Sequence, residues 1–281
     1  MNEHAHDHPD GPHPRLPQDR GTELLLVSIG NSRIKFALTK GEALEESHAV
    51  PVGETRAGAE KMMAMLADRP EADVVIASVN TPVADELEEV LLPSVDRVFR
   101  VGRDLQVPIN LSLDDATTVG QDRLLNALGA YRRAQQACVV IDVGTAVTVD
   151  FVDGVGTFQG GAIAPGPRMM LAALHGHTAA LPAVEYEAPD ASRGVFGKDT
   201  RHAMLLGVRA SVQGLVHVLV DRYAGEFGAY PRVIATGGDA RSLFEDDEFV
   251  EHIVPDLQLM GLAAACAIVL EDDADDPADD E

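Results

Sequence analysis

Two stretches of this chain repeat one pattern, and that repeat restricts the fold more than any other feature. Leu24 to Leu38 reads LLLVSIGNSRIKFAL, and Ala137 to Asp153 reads ACVVIDVGTAVTVDFVD. In each, an apolar run leads into a turn of small residues, and a second strand follows. β-branched residues fit a pleated surface, and glycine lets a backbone turn where a Cβ would clash. The turns align as S-I-G-N-S and D-V-G-T-A. In the second copy Asp142 stands at the exit of a strand, with Gly144, Thr145 and Thr148 after it. Backbone N–H groups and two hydroxyls can approach a ligand there, an arrangement suited to phosphate oxygens and a cation. One such turn reads equally well as an ordinary hairpin with an Asp in it. Two copies, followed by Val233 to Ala240 (VIATGGDA), a strand ending in a glycine pair, are far more specific.

Length and charge bound what surrounds these turns. A chain of 281 residues suffices for one large domain or two joined halves with a substantial core. No apolar stretch is read as reaching the roughly 18 residues of a spanning helix, and the polar N-terminus does not read as a secretory signal. Cys138 and Cys266 lie in apolar contexts, so buried reduced thiols and a cytoplasmic setting are expected. The formal net charge is −24, which disfavours nucleic acid or an anionic membrane as a partner. Glu271 to Glu281 carries eight acidic residues and reads as a disordered tail, residues 271–281. Residues 1–20, with His4, His6, His8 and His13 among prolines, read as a disordered arm. An anionic nucleotide must then be held locally, by backbone N–H groups, a divalent ion and a few bases.

Between the arms the pattern is α/β. Strands are expected near 23–28, 33–39, 46–52, 73–79 and 95–100, with helices over 56–68 and 82–92. Residues 103–120 read as a loop. Gly120-Gln121-Asp122-Arg123 then opens a helix to about Arg133, with Leu124, Leu128 and Tyr131 as its apolar stripe. Asp122 falls in the first turn, where the helix dipole favours an ionised carboxylate able to accept a proton. Further on come a strand over 155–163, a helix after Pro165-Gly166-Pro167, and an irregular connection over 181–197. A long apolar helix is expected from Thr200 to about Tyr223, a strand over 231–236, and a last helix from Leu257 to Leu270. The wide apolar stripe of the long helix suits burial together with a partner subunit.

In order, the motifs are SIGNS (28–32), GQDR (120–123), DVGTAVT (142–148), GGAIAPG (160–166), GKDT (197–200) and TGGDA (236–240). Together they resemble the type III pantothenate kinase family, within the actin-like ATPase and sugar kinase superfamily, over about residues 23–270. The resemblance implies two RNase H-like halves with mixed sheets flanked by helices, residues 21–118 and 119–270. It also implies transfer of the ATP γ-phosphoryl group to pantothenate, giving 4'-phosphopantothenate, the first step of coenzyme A biosynthesis. By the same resemblance Asp122 is the proton acceptor, and Gly120, Gln121, Asp122, Arg123 and Thr200 contact pantothenate. Ser28, Ile29, Gly30, Asn31, Ser32, Arg33, Ile34, Lys35 and Thr145 contact ATP, which comes with Mg²⁺. Asp142 holds a monovalent cation, K⁺ or NH₄⁺, and the protein is a homodimer with Thr200 contributed across its interface. Arg123 is expected to face the substrate carboxylate, since Arg suits bidentate pairing. Ser28 stands where the family pattern has Asp beside the Mg²⁺–phosphate assembly, and Leu113 where many members carry Tyr. A nucleotide-binding, non-catalytic relative that regulates a protein partner is the alternative these departures leave open.

Overall fold

The computed structural model of the chain describes residues 23–41 and 43–275, with side chains to residue 271. The His-rich arm and the end of the acidic run lie outside the described residues. The first half contains β1 (Leu24–Ile29), β2 (Arg33–Lys40), β3 (Ala43–Leu44), β4 (His48–Pro51), α1 (Thr55–Leu66), β5 (Asp73–Ser78), α2 (Thr81–Leu91) and β6 (Val98–Arg100). After β7 (Asn110–Leu111) come α3 (Gln121–Ala134), β8 (Cys138–Val143), β9 (Ala146–Val152), β10 (Thr157–Pro165), α4 (Pro167–Gly176) and α5 (Thr200–Phe227). The chain continues with β11 (Arg232–Thr236), α6 (Ala240–Phe244), β12 (His252–Ile253) and α7 (Leu257–Asp275).

The repeat seen in sequence is a repeat of topology. One sheet runs β3-β2-β1-β5-β6, with β4 also on β2; the other runs β12-β11-β8-β9-β10-β7. In each, the first strand pairs antiparallel with the strand after its turn and parallel with a later strand on its other side. This is the RNase H-like order twice over, so the chain has the expected α/β fold of two mixed sheets flanked by helices.

Period-two alternation distributes the side chains. Leu25, Val27 and Ile29 join Met62 of α1 and Leu87 of α2 on one face of the first sheet. Leu24 and Leu26 face the other way, among residues of α3 and α7. In the second sheet Val139, Ile141 and Val143 pack with Val208, Val212 and Val216 of α5, whereas Cys138 and Val140 pack with Leu124 and Ala127 of α3. The helices α3 and α7 thus lie in the seam between the sheets. They cross closely at glycine: a Cβ on Gly261 would sit 1.9 Å from the Leu125 carbonyl oxygen, and one on Gly129 would sit 2.7 Å from that of Leu257.

The chain order divides the sheets less cleanly than the boundary at 118 suggests. β7, inside the expected loop, pairs in parallel with β10 of the second sheet. α7, expected in the second half, buries Leu259, Leu262, Ala263 and Cys266 in a core shared with Leu24, Leu26 and Val75. It also runs to Asp275, so the first residues of the expected disordered tail are helical. Alanine-rich and apolar all round, α7 has surface for both neighbours. The reading that no stretch is long enough to span a membrane is corrected too. α5 reaches the required length and apolarity by composition, and one face of it is core, with Val212, Val216 and Val220 fully buried. Both cysteines are buried and free.

Candidate active site

The alternation that fills the cores also builds the site. Ser28 lies in register with the α3/α7-facing residues of β1, and Asp142 with the α3-facing residues of β8. Both therefore point into the cleft between the halves. That cleft encloses about 700 Å³. Its walls include Ser28, Gly30, Asn31, Ser32, Arg33 and Lys35 from the first turn, and Asp142, Gly144, Thr145 and Thr148 from the second. Asp122 and Asn126 of α3 lie between them, and Thr236, Gly237, Gly238 and Asp239 follow β11. The two turns touch, with the Ser32 and Thr145 hydroxyls 2.8 Å apart. Gly237, at φ +96°, lets the third turn lie against the second; a Cβ there would sit 2.3 Å from the Val143 carbonyl oxygen.

Asp122 and Asn126 are four residues apart on α3 and so share a face. Burial pushes the Asp122 carboxyl above the usual range, against the pull of the Arg123 backbone N–H, which donates to Oδ1 at 2.9 Å. Burial, with Asp122 nearby, pushes Asp142 up to about 6. Asn126 donates through Nδ2 to Asp142 Oδ2 at 2.9 Å. Its own Oδ1 is buried with no hydrogen-bond partner. A buried amide oxygen without a donor is costly unless something electropositive meets it. With the Asp142 carboxylate it offers oxygen donors on one wall of the cleft. That set fits a hard cation. Among the described residues there is no cluster of three His, Cys, Asp or Glu able to hold a metal alone.

Other expected site residues are elsewhere. Ile29 and Ile34 are fully buried among α1 and α2, so only their backbone is available to a ligand. Gln121 donates through Nε2 to the Val101 carbonyl at 2.7 Å, a tie to the first half rather than a cleft contact. Arg123 does not face the cleft as expected. Its guanidinium grips Asp150 through Nε and Nη2 and lies 5.5 Å from the Phe158 ring centre. Asp150 is 1% exposed, and a carboxylate so buried needs a fixed partner. Gly120 precedes α3, where a Cβ would sit 2.4 Å from Asp122 Oδ1; glycine there keeps the carboxylate's approach open. Thr200 is exposed at the first turn of α5, behind its cap Asp199, and does not line the cleft. Leu113 packs near Gly160.

The sequence reading missed Asn126, Arg168 and Asp239. Asn126 is a polar residue between Leu125 and Ala127 one turn after Asp122, which is a legible signal. Asp239 follows the glycine pair and Arg168 follows P-G-P; they form an ion pair that nothing in the spacing announces.

The sequence model of the type III pantothenate kinase family matches residues 24–222. A type III pantothenate kinase of Akkermansia muciniphila is 37% identical over 247 residues, covering 88% of this chain and 99% of that protein. One of Rhodospirillum rubrum is 36% identical over 253 residues, covering 85% and 96%. Among solved structures, one described as a Baf family transcriptional activator from Campylobacter jejuni superposes with TM-score 0.54 at 18% identity, covering 90% of this chain and all of that one. Component A of (R)-2-hydroxyglutaryl-CoA dehydratase from Acidaminococcus fermentans gives 0.50 at 18% identity, covering 90% and 99%. At that identity the structural likeness speaks for the fold alone.

Proposed function

The chain belongs to the type III pantothenate kinase family, and from that premise we infer that its cleft transfers the ATP γ-phosphoryl group to the primary hydroxyl of pantothenate. One observation carries the assignment of roles: Asp122, Asn126 and Asp142 line one cleft with the two small-residue turns, which touch through Ser32 and Thr145. The turns offer backbone N–H groups and the Ser32 and Thr145 hydroxyls to the phosphates. Asp122 takes the proton of the attacking hydroxyl. Phosphoryl transfer passes through a loose transition state, so the hydroxyl gives up its proton late and a modest carboxylate base suffices. The raised Asp122 pKa improves it as an acceptor.

Asp142 and Asn126 would hold a cation, K⁺ or NH₄⁺, whose charge offsets that building on the phosphates, while Mg²⁺ arrives with ATP. Arg123 acts on Asp150 and so fixes the start of α3 against β9, orienting Asp122. We take the working unit to be a cytoplasmic homodimer formed along α5. The exposed Val195, Phe196 and Val218 support this, and a second copy would bring Thr200 to the pantothenate end. The non-catalytic alternative is not favoured, since the curated relatives matched over most of their length are kinases.

The test is ATP-dependent phosphorylation of pantothenate by the purified protein with Mg²⁺, with and without K⁺ or NH₄⁺. Turnover is expected, and Asp122→Asn should lower kcat about 10²–10⁴-fold while ATP still binds. Absence of pantothenate turnover in the wild type would sink the assignment.

A further inference from the structure

The start of α3, which carries Asp122, is tied to both halves, and the ties run in opposite directions. Arg123 and Asn126 hydrogen-bond back into the second half, to Asp150 and Asp142. Gln121 reaches the other way and donates through Nε2 to the Val101 carbonyl at 2.7 Å. That carbonyl belongs to a braced turn of the first half. The Val101 N–H donates to the Ile76 carbonyl of β5 at 2.9 Å, and the Asp104 N–H to the Arg100 carbonyl at 2.8 Å. Asp104 Oδ2 accepts from the Arg100 N–H at 2.7 Å. Arg100 and Arg103 both pair with Glu88 of α2, at 3.0 and 2.8 Å. The turn also leaves room for the amide. Gly102 stands at φ +86°, and a Cβ there would lie 2.2 Å from Gln121 Nε2. A side chain at 102 would strain the backbone and push the amide away.

Stability does not account for this amide. Gln121 Oε1 is buried with no hydrogen-bond partner. A single neutral hydrogen bond adds little net stability, and a buried oxygen left without a donor costs at least as much. Apolar contacts already hold α3 in the seam, with Leu125 and Leu128 among Leu26 and Val75. Such contacts are non-directional, whereas a hydrogen bond fixes one point in distance and angle. The point fixed here is the residue before Asp122. The phosphates are gripped by turns from both halves, so the reach from Asp122 to the reacting groups depends on how the start of α3 sits against the first half. We propose that Gln121 is a positioning residue: its bond to Val101 sets the place of the Asp122 carboxylate relative to the first phosphate turn, and its side chain does not touch pantothenate. The proposal rests on the kinase reading above and deepens it.

The experiment is steady-state kinetics and thermal melting of the wild type, Gln121→Met, Gly102→Ala and the double variant. Methionine keeps the length of the side chain and removes both the donor and the unpaired oxygen. Gln121→Met is expected to lower kcat about tenfold or more, since a misplacement of about 1 Å can cost about 10²-fold. Its KM values for pantothenate and ATP should stay within about twofold of wild type. Its melting temperature should equal or exceed that of the wild type. Gly102→Ala should also lower kcat. Added to Gln121→Met it should lower kcat no further, because the bond it disturbs is already gone. A Gln121→Met variant with unchanged kcat would overturn the proposal. So would one whose pantothenate KM rises about tenfold at unchanged kcat, which marks a substrate contact. A melting temperature that falls by several degrees in Gln121→Met would mark a merely structural tie, and kcat losses that multiply in the double variant would place the two residues in separate roles; either result counts against the proposal. A wild type without pantothenate turnover would overturn the kinase reading, and the proposal with it.

Discussion

Ser28 and Asp142 occupy the same station in two sheets of one topology. Each is the fifth residue of a six-residue strand, each faces the seam between the halves, and each precedes a glycine by two. Around Ser28 the paired residues are Lys35 and Ala77; around Asp142 they are Thr148 and Thr236. One station is hydroxyl plus ammonium, the other carboxylate plus hydroxyls. The first is suited to an anion directly and the second to a cation that in turn draws the anion. A duplicated fold thus supplies two equivalent positions, and a single side chain at each decides the chemistry, because neither position contributes to the apolar cores.

The largest effect that would break this contrast is on turnover. Asp142→Asn should lower pantothenate phosphorylation by about 10²-fold or more, whereas Ser28→Ala should change it by about threefold at most. Similar losses at the two stations, in steady-state kinetics at saturating K⁺, would mean that they are not chemically distinct. A smaller effect concerns the glycine two residues on. A Cβ at Gly144 meets nothing within 4 Å, and one at Gly30 meets its nearest neighbour at an ordinary 3.5 Å. The fold therefore tolerates alanine at both places, and the glycines serve the approach of a ligand. Gly144→Ala should hold its melting temperature within about 2 °C while ATP affinity falls about tenfold. A large drop in melting temperature would return that glycine to a purely structural role.

The smallest effect is on stability, and it separates the stations by charge. Asp142 is raised from 3.8 to about 6, chiefly by burial. Between about pH 4 and 6 the folded protein holds this proton more tightly than the unfolded chain does. The carboxyl's contribution to stability therefore falls as pH rises through that window and stays unfavourable above it. At pH 8 without K⁺, Asp142→Asn should be more stable by on the order of 2 kcal/mol, several degrees in melting temperature. The gap should close near pH 4. Ser28→Ala has no ionisation to show such a profile.

Most of this arrangement was legible because it is local. Strand–turn–strand units and amphipathic helices announce themselves through alternation and spacing, and the motif order pointed to the family. What escaped is short or non-local. β7 and β12 have two residues each and α6 has five, too few for any period to register. The run 28–35 was read as one block of ATP contacts, yet alternation sends Ile29 and Ile34 to the α1–α2 core. Arg123 reads as a substrate contact from its motif and its bidentate geometry, and nothing nearby in sequence signals the buried carboxylate that claims it, Asp150, 27 residues away. Asn126 carried a readable sign, a polar residue on the buried side of α3, and was passed over in favour of the motif residue one turn before it.

The packing of α7 has a consequence for how the protein is made. The helix that closes one face of the first sheet is the last element of the described chain, so during synthesis that sheet emerges with Leu24, Leu26 and Val75 uncovered. α3 covers part of that face through Leu125 and Leu128, but Leu259 and Leu262 reach it only after residues 101–256 are translated, on the order of ten seconds or more at roughly 5–20 residues per second. The half that leaves the ribosome first thus keeps part of this face open until a helix that follows the second half has emerged. For this chain, the first sheet and the nucleotide cleft become complete only after α7 has left the ribosome.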